Sequence, residues 1–556
     1  MDRRSFIAFA SMVAAAAGNT THAKQPASPA ESADDPVDDL RAAARVAGLE
    51  FTDDELRMMR RALSEHRDDY QRRRRTPFEN GLAGALIFDP ARFAPAAPAP
   101  ADHFAPRPIA DIPLPADDED IAFAPVTHLS HWLHTRRLTS ARLTSICLAR
   151  IERLDPTLQA VITVTRERAR AEAEAADREL DAGRSRGPLH GIPYGAKDLF
   201  DTANIRTTWG AAPYRDRVPE RDATVITRLR DAGAVLIAKT SLGALAYGDI
   251  WFDGRTRNPF NTAQGSSGSS AGSAAGVVAG YFPFALGTET YGSIVSPCMR
   301  CGATGLRPTF GRVPRTGAMA LCWSLDKIGP IARTVEDTML VLHALNGATD
   351  HDDPSAVSQP IDYDASRPVE GLTVGYRPEW FEAPQGLPFD RRALDILRAA
   401  GVQLREITLP DWSWGDLLVG LDTEAASQFE ELTLSSRDDE LTWQEPEAWP
   451  NTFRAAWLRP AIELLQSQRF RTRAARALGE VMANVDAIIS PSFAASLLLI
   501  TNFTGHPCLT LRSGFRSNDR PHGITLWGHL FDEGTLARLG TLLETEYGVW
   551  ERRPTL

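Results

Sequence analysis

The most constraining feature of the sequence is a segment rich in glycine and serine at residues 265–305. It carries nine glycines in 41 residues, about three times their frequency in the whole chain, where 40 of 556 residues are glycine. Glycine at this density lets the backbone approach other groups closely. A flexible linker has a similar composition, but this segment continues into a small-residue helix expected at 273–280 and then into an apolar strand pattern. We therefore expect the segment to lie inside a folded domain.

Length and charge narrow the classes of protein that fit. A chain of 556 residues allows either three modest domains or one unusually large domain. The 61 Lys and Arg residues against 72 Asp and Glu residues give a formal charge of −11, so nucleic acid is not an expected partner.

The first 23 residues have the organisation of an export signal. Arg3 and Arg4 precede an apolar stretch at 6–17, and a small-x-small pattern follows at 21–23. The arginine pair resembles the twin-arginine type, which predicts a protein exported to the bacterial periplasm, with a mature charge of −12 once Asp2, Arg3 and Arg4 are removed. An apolar stretch of 12 residues is shorter than the roughly 20 that span a bilayer, so we expect no stable membrane anchor. The alternative is a frayed N-terminus with a chance arginine pair.

The rest of the chain is expected to divide into four parts. They are a disordered tether at 24–38, an N-terminal helical cap at 39–89, a proline-rich strap at 90–120 and a main domain at 121–556. Thr52 and Glu55 form a capping box that predicts the start of an amphipathic helix ending near Arg75. Eight prolines between Pro90 and Pro115 exclude a long helix or a central strand there.

The main domain shows the alternation of an α/β fold. Hydrophobic periodicity predicts helices at 138–153, 164–182 and 222–232, a short apolar run into Lys197, and a strand at 234–238.

Two short motifs offer catalytic interpretations that their surroundings do not favour. Residues 268–272 satisfy G-x-S-x-G with Ser270 as nucleophile, but that motif requires a preceding strand, and residues 255–264 are polar and contain Pro259. Ser324 and Lys327 satisfy the S-x-x-K of penicillin-recognising enzymes, but no K-T-G motif follows them.

A third interpretation accounts for the whole glycine-rich segment. The motifs in chain order are HGIPYGAKD at 190–198, GSSAGS at 268–273, GTETYGSI at 287–294, CGATGLRPT at 301–309, WSLDKIGP at 323–330, TGHP at 504–507 and Gly523-Ile524. In order and spacing they closely resemble the amidase signature family, and the resemblance covers roughly residues 125–550.

This resemblance implies a fold and a catalytic triad. The fold would be α/β, a single large α/β/α domain around a central mixed sheet with an N-terminal helical extension. The triad would be Lys197, Ser269 after a cis peptide bond, and Ser293 as the nucleophile. A lysine can act as a base only when it is neutral, and the apolar and glycine-rich surroundings of Lys197 are suited to lowering its pKa. Ser269 would relay the proton between Lys197 and Ser293.

The resemblance also assigns an oxyanion hole, formed by the backbone N–H groups of Thr290, Tyr291, Gly292 and Ser293. Gly268, Ser270 and Gly272 would support the turn that carries Ser269. The sequence departs from the family pattern at Glu289 and Tyr291, where the family commonly has Asp-x-Gly-Gly-Ser, and at Ala271, which replaces a glycine. We expect an intact oxyanion hole, with Tyr291 altering the wall of the pocket.

The cysteines and the remaining motifs point to no cofactor. Five cysteines in 556 residues are too few for a disulfide framework. Cys298 and Cys301 form a C-x-x-C, but a single such pair is weak evidence for a redox or zinc site, and packing or an incidental disulfide is the simpler interpretation. We expect neither a metal nor a nucleotide.

The expected reaction is hydrolysis of a small-molecule carboxamide through an acyl-enzyme on Ser293. Five tryptophans within 46 residues (Trp412, Trp414, Trp443, Trp449 and Trp457) pack a core or, alternatively, line the substrate pocket, which would favour a bulky or aromatic amide. A carbamate, ester or anilide could be cleaved by the same triad. The rival functions are an A subunit of a tRNA-dependent amidotransferase, which the export signal opposes, and a non-catalytic binding protein.

Overall fold

The computed structural model describes residues 36–75, 78, 80, 82, 86–92, 102–109, 111–347, 353–382, 386–492 and 494–556. The predicted export signal at 1–23 and the predicted tether up to residue 35 lie outside these described residues. Contacts divide the chain into two compact units, with the boundary after Arg75. The described residues at 78–92, which the sequence suggested grouping with the helical cap or the strap, belong to the larger unit.

The smaller unit consists of two helices, α1 (Pro36–Val46) and α2 (Asp53–Arg74). Residues 36–38, expected in the tether, form the first turn of α1. The capping box is present, because the backbone N–H of Thr52 donates to Glu55 Oε2 at 2.7 Å and the N–H of Glu55 donates to Thr52 Oγ1 at 3.4 Å. The prediction of a helix starting at this point is confirmed.

The larger unit contains the remaining helices. They are α3 (Asp118–Ala122), α4 (Val126–His134), α5 (Ser140–Leu158), α6 (Arg166–Asp181), α7 (Thr224–Asp231), α8 (Ala271–Val278), α9 (Val295–Cys301), α10 (Val335–Leu345), α11 (Pro378–Phe381), α12 (Pro388–Ala399), α13 (Leu418–Gln428), α14 (Glu430–Leu434), α15 (Trp449–Ala456), α16 (Ala461–Met482), α17 (Ala495–Thr504) and α18 (Glu533–Tyr547). The helices predicted at 138–153, 164–182 and 222–232 correspond to α5, α6 and α7.

The strands of the larger unit follow. They are β1 (His103–Ala105), β2 (Val161–Val164), β3 (Pro193–Lys197), β4 (Val235–Thr240), β5 (Ile250–Trp251), β6 (Gly254–Arg255), β7 (Arg257–Asn258), β8 (Asn261–Gly265), β9 (Phe284–Glu289), β10 (Thr304–Arg307), β11 (Lys327–Ala332), β12 (Asp362–Asp364), β13 (Thr373–Tyr376), β14 (Gln403–Glu406), β15 (Ala487–Pro491), β16 (Cys508–Phe515) and β17 (Pro521–Gly528).

One mixed sheet organises the larger unit. It has 11 strands in the order β14-β13-β15-β17-β16-β10-β11-β9-β3-β4-β2. Strand β3 runs parallel to both β4 and β9, whereas β11 runs antiparallel to β9. Every residue of β3, β4, β9 and β11 is buried, so other elements cover both faces of the sheet there. The α/β fold with a large mixed sheet that the resemblance implied is confirmed.

The proline-rich strap contains only short regular elements among its described residues. Residues Pro90–Arg92 form a single 3₁₀ turn, and β1 pairs in parallel with β12 in a two-stranded sheet. Proline lacks a backbone donor, which is consistent with the finding that the described residues of this stretch add no strand to the large sheet.

Candidate active site

The predicted triad lies where β3 and β9 end. Lys197 is the last residue of β3, and β9 lies parallel beside it, with Ala196 opposite Leu286. Ser269 precedes α8, and Ser293 lies in the loop between β9 and α9. Ligand sites of open α/β sheets form at the carboxyl ends of parallel strands, so this placement fits a catalytic site.

Hydroxyl groups surround the amine of Lys197. Its Nζ lies 2.8 Å from Ser269 Oγ, 3.2 Å from Ser270 Oγ and 2.8 Å from Thr288 Oγ1. The side chain is fully buried, and none of these neighbours carries a charge. A neutral amine can donate to two of these hydroxyls and accept a hydrogen bond from the third.

Burial lowers the pKa of Lys197 from its usual value to about 7, and the carboxylates of Asp326 and Glu289 only partly oppose this effect. Desolvation penalises the ammonium form, and no anion touches Nζ to compensate for that penalty. The lysine can therefore exchange a proton near neutral pH, as the sequence suggested.

Ser269 has the backbone geometry that the resemblance implied, because the Gly268–Ser269 peptide bond is cis. The two flanking glycines lie against other backbone segments. A Cβ added to Gly268 would lie 1.8 Å from the carbonyl oxygen of Gly248, and one added to Gly272 would lie 2.0 Å from that of Ala160. Neither position has room for a side chain, so both glycines allow the close packing that fixes Ser269.

Ser270 has a structural position. Its hydroxyl donates to the carbonyl of Thr288 at 3.1 Å, accepts from the backbone N–H of Thr288 at 3.1 Å, and also faces Lys197. A strand, β8, does precede it, which the sequence did not predict, but β8 ends at Gly265 and pairs only with β7 in a small hairpin. The nucleophile-elbow interpretation therefore lacks its structural context.

Ser293 lies on a loop whose backbone donors are available. Its side chain is buried except for 8 % of its surface, and its carbonyl accepts from the N–H of Ser270 at 3.1 Å. Gly292 adopts a φ of +82°, which favours glycine. In the described part of the chain, the N–H groups of Tyr291, Gly292 and Ser293 donate to no protein acceptor. The loop can therefore offer consecutive donors to a developing oxyanion.

Two buried carboxylates fix the ends of this loop. Thr290 Oγ1 donates to Asp326 Oδ1 at 2.6 Å. At the other end, the N–H groups of Ile294 and Val295 donate to Glu289 Oε2 at 2.8 and 3.0 Å. The sequence showed Glu289 only as a departure from the family pattern and gave Asp326 no role, because neither contact follows from spacing along the chain.

Glu289 is itself neutralised by Arg307. The two side chains are fully buried and form an ion pair with Nη1 2.6 Å from Oε1. Burial alone would raise the pKa of Glu289, but Arg307 and the hydrogen bonds to the carboxylate hold it below its usual value. Arg307 also donates to the carbonyl of His506 at 2.8 Å, which connects the TGHP motif to the loop.

A cavity of about 520 Å³ opens beside the loop. Thr288, Thr290 and Asp326 line it at the site, and Trp209, Met319 and Trp323 contribute large apolar surface. The charged side chains on its wall include two ion pairs, Asp201 with Arg217 at 2.7 Å and Asp353 with Arg315 at 3.0 Å. Asp326 is the remaining carboxylate, so the charged residues of the wall sum to one negative charge.

The five clustered tryptophans do not line this cavity. Trp412 and Trp414 pack against Phe470, and Trp449 stacks on Phe453. Trp443 and Trp449 both contact Tyr247, with ring centroids 5.0 and 4.9 Å away. For Trp412, Trp414, Trp443 and Trp449 the packing interpretation is correct. Tyr291 likewise packs against hydrophobic residues and does not line this cavity.

The other motif-based alternatives are not assembled. Ser324 Oγ donates to Glu424 at 2.7 Å, whereas Lys327 points at the carbonyl of Leu325, so the two residues do not form an S-x-x-K site. Cys298 and Cys301 are buried and free, as are Cys147, Cys322 and Cys508. Among the described residues, no three His, Cys, Asp or Glu side chains come close enough to hold a metal ion. No described helix has the length and apolar character needed to cross a membrane.

Comparisons with known proteins agree with this geometry. The model of the Amidase family matches residues 142–501. The A subunit of the glutamyl-tRNA(Gln) amidotransferase of Roseiflexus sp. (strain RS-1) is 34% identical over 471 residues, which cover 75% of this chain and 95% of that protein.

Solved structures give the same result. The native peptide amidase from Stenotrophomonas maltophilia is 29% identical with a TM-score of 0.69, and the match covers 78% of this chain and 98% of that one. An amidase family protein from Bacillus anthracis str. Ames is 27% identical with a TM-score of 0.71, covering 79% and 94%. From the motifs, the site geometry and these matches together, the chain belongs to the Amidase family.

Proposed function

We propose that this protein is a serine amidase that hydrolyses a carboxamide through an acyl-enzyme on Ser293. The observation that carries the proposal is Lys197, a buried lysine that contacts only uncharged groups and hydrogen bonds to Ser269 after a cis peptide bond. Burying a lysine without an anionic partner lowers the stability of the fold, because the ammonium form loses its hydration. The same loss lowers the pKa of the amine, so the neutral form that can act as a base is populated near neutral pH.

In the proposed reaction, Ser293 Oγ attacks the carbonyl carbon of the amide. Its proton passes to Ser269, and Ser269 gives its own proton to neutral Lys197. The N–H groups of Tyr291, Gly292 and Ser293, with that of Thr290, stabilise the oxyanion of the tetrahedral intermediate. Collapse of the intermediate breaks the C–N bond, and the amine leaves with the proton returned from Lys197 through Ser269. Water then attacks the acyl-enzyme by the same route and releases the acid.

The cavity supports a neutral or cationic substrate with a bulky apolar or aromatic group. Trp209, Trp323 and Met319 offer the apolar surface, and the net negative charge that Asp326 gives to the wall disfavours an anionic group. An anilide, a carbamate or an ester with the same shape would fit the same chemistry.

The test is the Ser293→Ala variant assayed against a panel of aryl, alkyl and amino-acid amides, with carbamates and esters beside them. We expect the wild type to hydrolyse a subset of the panel and the variant to show no turnover while keeping its thermal unfolding profile. A fluorophosphonate should label the wild type at Ser293 and leave Ser293→Ala unlabelled. Retained turnover in the variant would disprove the proposal.

A second candidate function is that of an amidotransferase A subunit, favoured by the match to such subunits over 95% of their length. It predicts that the chain releases ammonia from glutamine only together with partner subunits and transfers it to glutamyl-tRNA. Amide hydrolysis by the isolated chain, with no formation of glutaminyl-tRNA after addition of partner subunits, would exclude this candidate.

We also propose that the protein is exported to the bacterial periplasm, because of the twin-arginine pattern at residues 1–23. Fusion of residues 1–40 to a reporter should direct it to the periplasm, and an Arg3→Lys, Arg4→Lys version should stay in the cytoplasm. Equal distribution of the two reporters would contradict the proposal.

A further inference from the structure

We propose that Asn80 and Leu82, which precede the part of the chain matched by the family model, are specificity-determining residues of the substrate cavity. The inference rests on the proposed amide hydrolysis and adds a limit on substrate size. Both residues line the cavity of about 520 Å³ that reaches Thr288 and Thr290 at the site. The family model begins only at residue 142, so this part of the wall is supplied from outside it.

Asn80 holds its position through two reciprocal hydrogen bonds. Its Nδ2 donates to the carbonyl of Ala320 at 3.0 Å, and the N–H of Ala320 donates to its Oδ1 at 2.8 Å. The side-chain amide thus pairs with the backbone of Ala320 as a neighbouring strand would. Ala320 lies between Met319 and Leu321, which also line the cavity. Asn80 is therefore fixed to the cavity wall itself.

A second attachment follows further along the same segment. The guanidinium of Arg471 lies over the ring of Phe88, with its Cζ 3.5 Å from the ring centroid. Arg471 donates to the carbonyl and the hydroxyl of Ser324 at 2.7 and 2.9 Å. Ser324 adjoins Trp323, another residue of the cavity wall. The attachments at Asn80 and Phe88 lie on either side of Leu82 in the sequence, and both lead to residues 319–324.

Leu82 is the apolar residue that this arrangement presents to the cavity. Half of the surface of Leu82 remains exposed, so the residue is not part of the hydrophobic core. Its side chain contributes to the wall of a cavity whose charged residues are mostly paired with one another. A substrate group that reaches Leu82 is therefore apolar and limited in length by this side chain. The substrate class is an amide whose apolar group is limited in length on the side of the cavity that Leu82 lines.

The experiment measures kcat/KM for two series of amides, one with increasing acyl chain length and one with increasing amine chain length. The variants are Leu82→Ala and Asn80→Ala, and the matched control is Leu86→Ala. Leu86 undergoes the same chemical change in the same segment, is 83% exposed and does not line the cavity.

For Leu82→Ala we expect the ratio of kcat/KM for long over short substrates to rise about tenfold in one of the two series, because hydrophobic pockets discriminate single methylenes by about this factor or more. Asn80→Ala should shift the ratio in the same series and direction, and Leu86→Ala should leave it unchanged. A ratio unchanged in both series, or an equal loss for all substrates, would overturn the inference.

A separate readout distinguishes failure of this inference from failure of the proposed function. The rate at which alkyl fluorophosphonates of increasing chain length label Ser293 should show the same shift in Leu82→Ala. A wild type that is neither labelled nor active on any amide would reject the proposed function, and this inference with it. A labelled wild type whose chain-length preference is the same in Leu82→Ala would reject this inference alone.

Discussion

Two buried lysines on adjacent strands of the same sheet have opposite surroundings. Lys197 ends β3 and contacts only hydroxyl and carbonyl groups. Lys239 lies on β4, where it pairs with Ala196, the residue before Lys197. Its Nζ lies 3.1 Å from the carboxylate of Asp198. Both side chains are fully buried. Burial lowers the pKa of both lysines, but only at Lys239 does a directly contacting carboxylate, that of Asp198, oppose this effect by stabilising the ammonium form.

The two carboxylates near the site reinforce this contrast. Glu289 is neutralised by Arg307 and Asp326 is saturated by hydrogen bonds from Thr290, Leu321 and Cys322, so neither touches Lys197. They raise its pKa less than burial lowers it. Asp198, the residue next to Lys197 in the chain, points instead to Lys239 and Thr208.

The strongest test of the comparison is Lys197→Met. We expect kcat/KM to fall by at least about a thousandfold, because the proposed base is lost. The thermal stability of the variant, in contrast to its activity, should not fall. The pKa of Lys197 is lower in the folded state than in the unfolded chain, so protonation favours unfolding, and this penalty is fully present below about pH 7 and disappears by about pH 10.5. Thermal unfolding at pH 6 should therefore show a variant at least as stable as the wild type. A large loss of stability would indicate a structural lysine.

Lys239→Met is the matched variant for the second lysine. We expect it to lose about 3 to 5 kcal/mol of the free energy of unfolding, because the carboxylate of Asp198 stays buried without its partner. Urea unfolding measures this loss. Adding Asp198→Asn to Lys239→Met should restore part of the stability, since the double variant removes the uncompensated charge. If the single variant unfolds like the wild type, the ion-pair interpretation is wrong.

The pH dependence of the wild type sharpens the comparison further. Neutral Lys197 is the active form of the proposed base, so kcat/KM should rise about tenfold per pH unit below the pKa and level off above it. With the pKa of Lys197 at about 7, the midpoint should lie near neutral pH. Stopped assays from pH 5 to 9 on one amide provide the measurement. A rate independent of pH across this range would favour a different base.

The smallest expected effect comes from a pair of threonine variants. Thr288→Val removes a hydroxyl that lies 2.8 Å from Lys197, and Thr207→Val removes one that lies 2.7 Å from Lys239. Loss of an acceptor disfavours the ammonium, so Thr288→Val should move the midpoint of the pH profile down by about half a pH unit. Thr207→Val should leave that midpoint in place and lower thermal stability only. Equal midpoints in both variants would mean that Thr288 does not tune the lysine.

Local pattern was sufficient for much of the fold. The helices α5, α6 and α7 and the strand β4 appear within a few residues of their predicted positions, because apolar periodicity and turn residues act over short distances. The capping box at Thr52 was readable for the same reason. The hairpin strand β8 was missed, since its polar residues pair outside the large sheet and carry no apolar alternation.

The site was only partly readable. The motifs indicated Lys197, Ser269 and Ser293 in order, and the glycine-rich segment indicated close backbone packing, which Gly268 and Gly272 now explain. The tryptophan cluster at 412–457 suggested a substrate wall, whereas Trp209 and Trp323 line the cavity. Aromatic composition does not reveal which side of a residue faces a cavity and which faces the core.

The sequence by itself indicated the family, through motifs in a fixed order, together with several helices and a strand of the main domain, and the resemblance to that family implied the candidate triad. Only the tertiary structure decided which carboxylate accompanies which lysine. Asp198 is next to Lys197 in the chain, yet it pairs with Lys239, and Lys197 faces residues 72 to 91 positions away. Side chains of consecutive strand residues point to opposite faces of a sheet. Lys239 pairs with Ala196 and so lies on the opposite face from Lys197. Asp198, in the turn after β3, is directed to Lys239, and the amine of Lys197 is left in contact with hydroxyl and carbonyl groups only.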